Sequence, residues 1–301
     1  MTRDTAQTVP SGLIVWCLAA RPKTLPAAIV PVAVGTVLAA RMADWAAWPA
    51  FLCLVFALLI QVGTNFTNDW SDFEKGADTG GRIGPARAVA AGWVSPATMR
   101  RAAFLVFAAA FLAGLNLVLY GGWWLVVVGL AAILSGVAYT AGPWPLGYNG
   151  LGDLFVLVFF GWVAVGFTFF VQTGFFAGEV WLAGTGAGAL AVAILLVNNY
   201  RDRGTDRLAG KRTLVVRWGE TYARIQFAAC HVAALLVPVT FLAREWGAAV
   251  LLPWILVPLA VHLNRRLAEA SDGEDFNRLL ELSGLYLMAW GVLFCTGLWL
   301  G

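Results

Sequence analysis

Long apolar runs, each closed by a short polar link, fill the chain from residue 13 to its end. A hydrocarbon core of about 30 Å takes roughly 20 apolar residues per helix, which predicts nine spans at about 13–40, 46–67, 98–120, 122–141, 151–173, 179–200, 221–243, 246–265 and 279–300. The first run is long and holds Arg21, Pro22, Lys23, Pro26 and Pro31. Proline cannot donate an amide hydrogen bond inside a helix, so an interfacial turn or short helix should precede a proline-bent span. The predicted fold class is all-α: a polytopic membrane helix bundle forming one domain over 13–301, after a short polar tail at 1–12.

Composition agrees with the pattern. The chain is 60% hydrophobic and 12% charged, with a mean hydropathy of +0.76, whereas soluble domains carry about 25% charged residues. Residues 1–12 lack the basic and apolar regions of a secretory signal peptide, so the first span is expected to stay in the mature chain. Cys17, Cys53, Cys230 and Cys295 all lie in apolar runs without a C-x-x-C pair, which reads as buried small residues rather than a disulfide framework.

Charge gives the spans a direction. With nine spans, all but Arg41 and Arg244 of the 20 Lys and Arg residues fall on one side of the membrane. By the positive-inside rule the N-terminus is cytoplasmic and the C-terminus outside. Tryptophans such as Trp45, Trp48, Trp123, Trp124 and Trp299 cluster at span ends, as interfacial anchors do. Glycines within spans, Gly161, Gly184 and Gly188 among them, are expected where helices approach closely.

Polar chemistry gathers at two cytoplasmic exits. Asn65, Asn68, Asp69 and Asp72 recur at helical spacing as the second span ends. Asn198, Asp202 and Asp206 do so as the sixth ends, and Asn65 to Asp69 repeats the offset of Asn198 to Asp202. Oxygen donors suit a hard cation such as Mg²⁺, which takes one or two carboxylates with phosphate oxygens and water. Lys75, Arg82 and Arg87 follow the first motif; Arg201, Lys211 and Arg212 accompany the second. Carboxylates interleaved with cations point to metal and phosphate together. The plainer reading, solvated loops whose cations set topology, accounts for Arg100, Arg101, Arg224, Arg265 and Arg266. It accounts less well for amides beside aspartates at the membrane boundary, where desolvation is costly.

These residues carry a resemblance. Asn65-x-x-Asn68-Asp69-x-x-Asp72 with Asp78, then Arg82-x-Gly84-Pro85-x-Arg87, resembles the first signature of the UbiA superfamily of intramembrane prenyltransferases. Asn198-Asn199-x-Arg201-Asp202-x-x-x-Asp206 through Lys211-Arg212-Thr213-Leu214 resembles the second. Ala20-Arg21-Pro22-Lys23 and Tyr139-Thr140 through Gly150-Leu151-Gly152-Asp153 are similar to further family stretches, so the likeness spans the chain. Within the superfamily it is closest to the branch that prenylates 1,4-dihydroxy-2-naphthoate in menaquinone synthesis. Trp70-Ser71 and Asp153 depart from residues common in that branch.

The resemblance implies transfer of a polyprenyl group from an allylic diphosphate to 1,4-dihydroxy-2-naphthoate with decarboxylation, giving a demethylmenaquinone. It implies a Mg²⁺-dependent enzyme of a bacterial cytoplasmic membrane with its site facing the cytoplasm. Asp69, Asp72, Asp202 and Asp206 would be catalytic and, with Asn65, Asn68 and Asn198, would hold metal. Lys75, Arg82, Arg87, Arg201 and Lys211 would contact diphosphate, while Arg21, Lys23, Tyr139, Tyr148 and Asp153 would serve the acceptor. Expected partners are the prenyl diphosphate, the aromatic acid and membrane lipid, and not nucleic acid. Another acceptor (4-hydroxybenzoate, homogentisate or a specialised phenol) remains open, as does a transporter, although a transporter should place polar groups nearer the bilayer midplane. A CDP-alcohol phosphotransferase would need an Asp-Gly-x-x-Ala-Arg lead-in that this chain lacks.

Overall fold

The computed structural model describes residues 12–78 and 84–301, and all regular structure among them is helical. Helix α1 (Gly12–Ala20) ends ahead of Pro22, and a 3₁₀ turn (Pro22–Thr24) leads into α2 (Pro26–Met42). The two helices meet at 56°, so the predicted break falls at Arg21–Leu25, while Pro31 is carried inside α2. Pro22 excludes the α conformation from the residue before it, and Arg21 adopts the left-handed region at φ 54°, unusual for a side-chain-bearing residue.

Eight further rods complete the bundle. The first seven are α3 (Ala47–Glu74), α4 (Pro96–Gly121), α5 (Leu125–Ala138), the continuous rod α6–α7 (Gly152–Thr173), α8 (Gly178–Arg201), α10 (Leu214–Leu242) and, after a 3₁₀ segment, α11 (Ala248–Glu269 in all). A last helix, α12 (Gly273–Leu300), closes the chain, and α9 (Arg203–Leu208) is a short cap after α8. Among the described residues seven helices are long and apolar enough to cross a bilayer, and the bent α1–α2 pair makes an eighth when taken as one span. The span expected at 122–141 is only α5, whose 14 residues reach about 21 Å at 1.5 Å per residue. It starts late because Gly122, at φ 89°, ends α4 in a conformation that only glycine adopts easily.

Helix α8 is the most enclosed rod, packed by α2, α10, α12 and the α6–α7 rod. Close approach is built with glycine: a Cβ on Gly161 would lie 2.4 Å from the Gly184 carbonyl oxygen. Gly161 belongs to a π turn (Val158–Val163) that joins α6 to α7. Around α8 the core is aromatic, with Phe169, Phe227, Phe241, Tyr286, Trp290 and Phe294 buried. Large apolar side chains point outward elsewhere, including Leu13, Leu105, Leu119, Trp123, Leu134 and Ile255. Such a surface is stable only against lipid, so this is an integral membrane protein.

Candidate active site

The first acidic motif is the last two turns of α3, which runs past the expected boundary near 67. Asn65, Asn68, Asp69 and Asp72 therefore form one stripe along the helix. Their side chains do different things. Asn65 Nδ2 donates to the Ala20 carbonyl at 2.9 Å, and Gln61 donates to Thr24 Oγ1 at 2.9 Å, so both tie α3 to the α1–α2 break. Asp69 is 1% exposed and accepts the backbone amides of Ala88 and Val89 at 3.1 and 3.0 Å, one on each oxygen. It anchors the link that carries Arg87. Asp72 accepts Tyr148 Oη at 3.0 Å and Arg87 Nη2 at 3.3 Å, and Arg87 Nε lies 3.4 Å from Asp78.

The second motif does not stay on one helix. Asp202 sits at φ −90°, ψ 4° between α8 and α9, and Thr205 Oγ1 competes for its carbonyl at 2.9 Å. Asn198 thus belongs to the last turn of α8 and Asp206 to α9. Asn198 Nδ2 turns back to its own helix, 3.4 Å from the Ile194 carbonyl. Arg201 clasps both oxygens of Asp202 at 2.7 and 2.8 Å and donates to Asn277 of α12 at 2.9 Å. Asp206 pairs with Lys211 Nζ at 3.4 Å, while its Oδ2 is buried without a hydrogen bond.

Two contacts bring the motifs together. A Cβ on Gly84 would lie 2.8 Å from Arg201 Cζ, so the Gly84-Pro85 turn of the first link rests on the guanidinium of the second motif. Lys75 and Lys211, one from each motif, stand over the Tyr148 ring at 4.9 and 5.6 Å from its centroid. Thr140 holds the link after α5 to the first motif alone: its Oγ1 donates to Asn68 at 2.8 Å, and its carbonyl accepts both Ser71 Oγ at 2.9 Å and Lys75 Nζ.

The electrostatics follow from this crowding. Burial pushes the Asp206 carboxyl up to about 6, held back by Lys211 and raised further by Asp202 and Asp72. Burial alone would lower Lys211, yet Asp206, Asp72 and Asp202 outweigh it and raise the ammonium. Lys75 is lowered by burial, with Asp72 opposing. Burial and Asp72 raise the Tyr148 phenol, so it stays protonated and able to donate.

Below this polar head lies an apolar cavity of about 150 Å³. Tyr139 lines it, with Oη against Gly152. Its walls are Phe56, Ile60, Gly129, Gly136, Phe159 and Phe167, among others. Helix α5 meets the α6–α7 rod at that tyrosine and again at Trp124, whose ring lies 5.3 and 5.1 Å from Phe167 and Phe170. Between those ends the helices part and the cavity separates them.

Among the described residues no three His, Cys, Asp or Glu side chains are grouped so that they would hold an ion unaided. Lysine and arginine stand between the carboxylates instead. The donor chemistry still suits Mg²⁺, which needs only one or two carboxylates beside phosphate and water, and Asp206 Oδ2 is a buried oxygen lacking a partner.

Of the acceptor candidates, Lys23 is tied to Glu281 at 2.7 Å on the surface, and Arg21 lies at the break held by Asn65. Asp153 turns to α10 and accepts Gln226 Nε2 at 3.0 Å. Arg82 lies outside the described residues. Thr140, Asn277 and Gln226 take part in the site's framework without having been singled out from sequence. A single Thr, Asn or Gln follows no spacing rule, so only Thr140, next to Tyr139 in a matched stretch, carried any signal.

A membrane bundle whose two acidic motifs converge over an apolar cavity defines an intramembrane enzyme for a phosphorylated, lipid-soluble substrate. Residues 28–299 match the UbiA prenyltransferase family, and the chain belongs to it. It is 37% identical to a 1,4-dihydroxy-2-naphthoate octaprenyltransferase of Mycobacterium tuberculosis over 95% of this chain and 97% of that protein. Among solved structures it is similar to a UbiA homologue from Aeropyrum pernix (TM-score 0.69, 16% identity, 90% of this chain and 96% of that one). It is also similar to a UbiA homologue from Archaeoglobus fulgidus bound to DMAPP and Mg²⁺ (TM-score 0.60, 14% identity, 93% and 98%).

Proposed function

We propose that this protein transfers a polyprenyl group from an allylic polyprenyl diphosphate to 1,4-dihydroxy-2-naphthoate. Loss of the carboxylate then leaves a demethylmenaquinone in its hydroquinone form, with diphosphate and carbon dioxide released. The observation that carries this reading is the 37% identity, across nearly the whole of both chains, to a relative named for that reaction. The polar head above an apolar cavity supports it, because the substrate has the same two parts.

Asp72, Asp202 and Asp206 would hold Mg²⁺, with Asn68 and Asn198 nearby, and the A. fulgidus neighbour bound to DMAPP and Mg²⁺ supports a divalent ion here. When bound, the ion supplies positive charge against the departing diphosphate. Lys75 and Lys211 would meet phosphate oxygens, and their charge would favour ionisation of the allylic C–O bond. Arg87 and Arg201 steady Asp72 and Asp202, so their part is to hold carboxylates rather than to reach for phosphate. Asp69 fixes the link that carries Arg87. The cavity takes the isoprenoid and keeps water from the allylic cation. The electron-rich ring enters at Tyr139, attacks the allylic carbon and forms the new C–C bond. Lys and Arg at the acidic end support a site facing the cytoplasm, in a bacterial cytoplasmic membrane.

The test is to incubate purified protein with Mg²⁺, geranylgeranyl diphosphate and a panel of aromatic acids, identifying products by mass. The expected product is the decarboxylated, prenylated naphthalenediol. Prenylated 4-hydroxybenzoate alone would redirect the acceptor assignment, and absence of any covalent product would end the enzymatic reading.

A further inference from the structure

Tyr148 occupies an unusual place between the two motifs. It lies in a 3₁₀ turn (Gly147–Asn149) of the link between α5 and α6, far in sequence from both. Its carbonyl accepts the Arg212 amide at 2.8 Å, which ties the turn to the segment carrying Lys211. Arg217, one turn into α10, reinforces this tie by donating to the Asn149 carbonyl at 2.8 Å. The Tyr148 hydroxyl donates to Asp72 at 3.0 Å on the other motif. Its ring lies beneath Lys75 from the first motif and Lys211 from the second. Both ammoniums are within the range over which an aromatic face attracts a cation.

We propose that Tyr148 is a positioning residue: a cross-piece that sets the separation of the two motifs and presents Lys75, Lys211 and Asp72 to the diphosphate and its metal. It is not a contact for the aromatic acceptor. This rests on the prenyl-transfer reading above. The physical need is plain. Two ammoniums carried by separate links repel each other, and each also has a carboxylate or carbonyl nearby to draw it away. A fixed electron-rich face between them keeps both near one place without taking up the N–H groups that Thr140 and Asp206 leave over. The hydroxyl does the same for Asp72 by occupying Oδ1, so the carboxylate keeps one orientation. Ring and hydroxyl therefore have separable effects.

Tyr148→Phe removes the hydroxyl alone, and Tyr148→Leu removes the ring face as well. The measurements are calorimetric binding of inorganic pyrophosphate in the presence of Mg²⁺, and KM for geranylgeranyl diphosphate and for 1,4-dihydroxy-2-naphthoate separately. Tyr148→Phe should weaken pyrophosphate binding about tenfold, the scale of one lost charge-assisted hydrogen bond. Tyr148→Leu should weaken it by about a further tenfold. KM for the aromatic acid should be unchanged in both. If the leucine variant does not fold, the phenylalanine variant decides alone. Pyrophosphate affinity equal to wild type, or a raised KM confined to the aromatic acid, would overturn the proposal. A wild-type protein that neither binds pyrophosphate nor forms product would remove the functional reading and the proposal with it. A competent wild type with unshifted variants removes only the proposal.

Discussion

The two acidic motifs look like copies in the sequence and behave differently in the structure. At the end of α3 the helix continues through the motif, and its carboxylates are satisfied by backbone amides, a phenol and Arg87. At the end of α8 the helix breaks, Arg201 takes Asp202, and Asp206 is left with one buried oxygen unpaired. The carboxylates at the end of α3 have their partners, whereas Asp206 of α9 keeps one oxygen without any. A buried carboxylate without a full set of partners destabilises the fold, so its presence at α9 calls for a ligand that completes it. Asp69 and Asp206 are each the fourth residue after an amide or carboxylate of their motif, yet only Asp206 retains an unused oxygen.

The difference has consequences that mutants separate, the largest first. Asp206→Asn should lower kcat by about 100- to 1,000-fold, the usual scale for losing a preorganised electrostatic group. Thermal stability should change little: the variant weakens the 3.4 Å pair with Lys211 but relieves a buried carboxylate whose Oδ2 has no hydrogen bond. Depleting divalent metal should abolish turnover and Mg²⁺ should restore it, as measured by diphosphate release. Activity surviving exhaustive chelation would leave Asp206 as an idle carboxylate. Asp69→Asn should do the reverse of Asp206→Asn: a loss of about 1–3 kcal/mol in chemical denaturation, with more activity retained per folded molecule. Gly84→Ala should cut kcat about tenfold by displacing Arg201 from Asp202, an effect of the size seen for residues that orient metal ligands. Lys23→Ala breaks only an exposed pair and should shift stability by less than about 1 kcal/mol.

Much of this arrangement was legible in the chain. The apolar runs give the bundle, the two prolines around Lys23 give the bend before α2, and the amide–carboxylate spacing gives the stripe on α3. Local rules reach that far because they concern neighbours within one helix. The short α5 was harder to foresee, since Trp123, Trp124 and Tyr139 extend the apolar run but cap the helix or line the cavity instead of lengthening it. Asp69's anchoring role was hidden for a different reason. Its partners are backbone amides of Ala88 and Val89, and no side-chain pattern records them. The same holds for Gly84 against Arg201, a contact between links that are far apart in sequence. Tyr148 was visible as a candidate, but only the fold reveals that it faces Asp72 and two lysines.

The central claim is that Asp72 of α3 and Asp206 of α9 serve one metal–diphosphate group. A double-mutant cycle on kcat/KM for geranylgeranyl diphosphate tests it most directly, using Asp72→Asn, Asp206→Asn and the pair. Groups that act as one unit are strongly non-additive, so the double variant should be scarcely slower than the worse single one. Losses that multiply, as they do for independent sites, would contradict a shared centre.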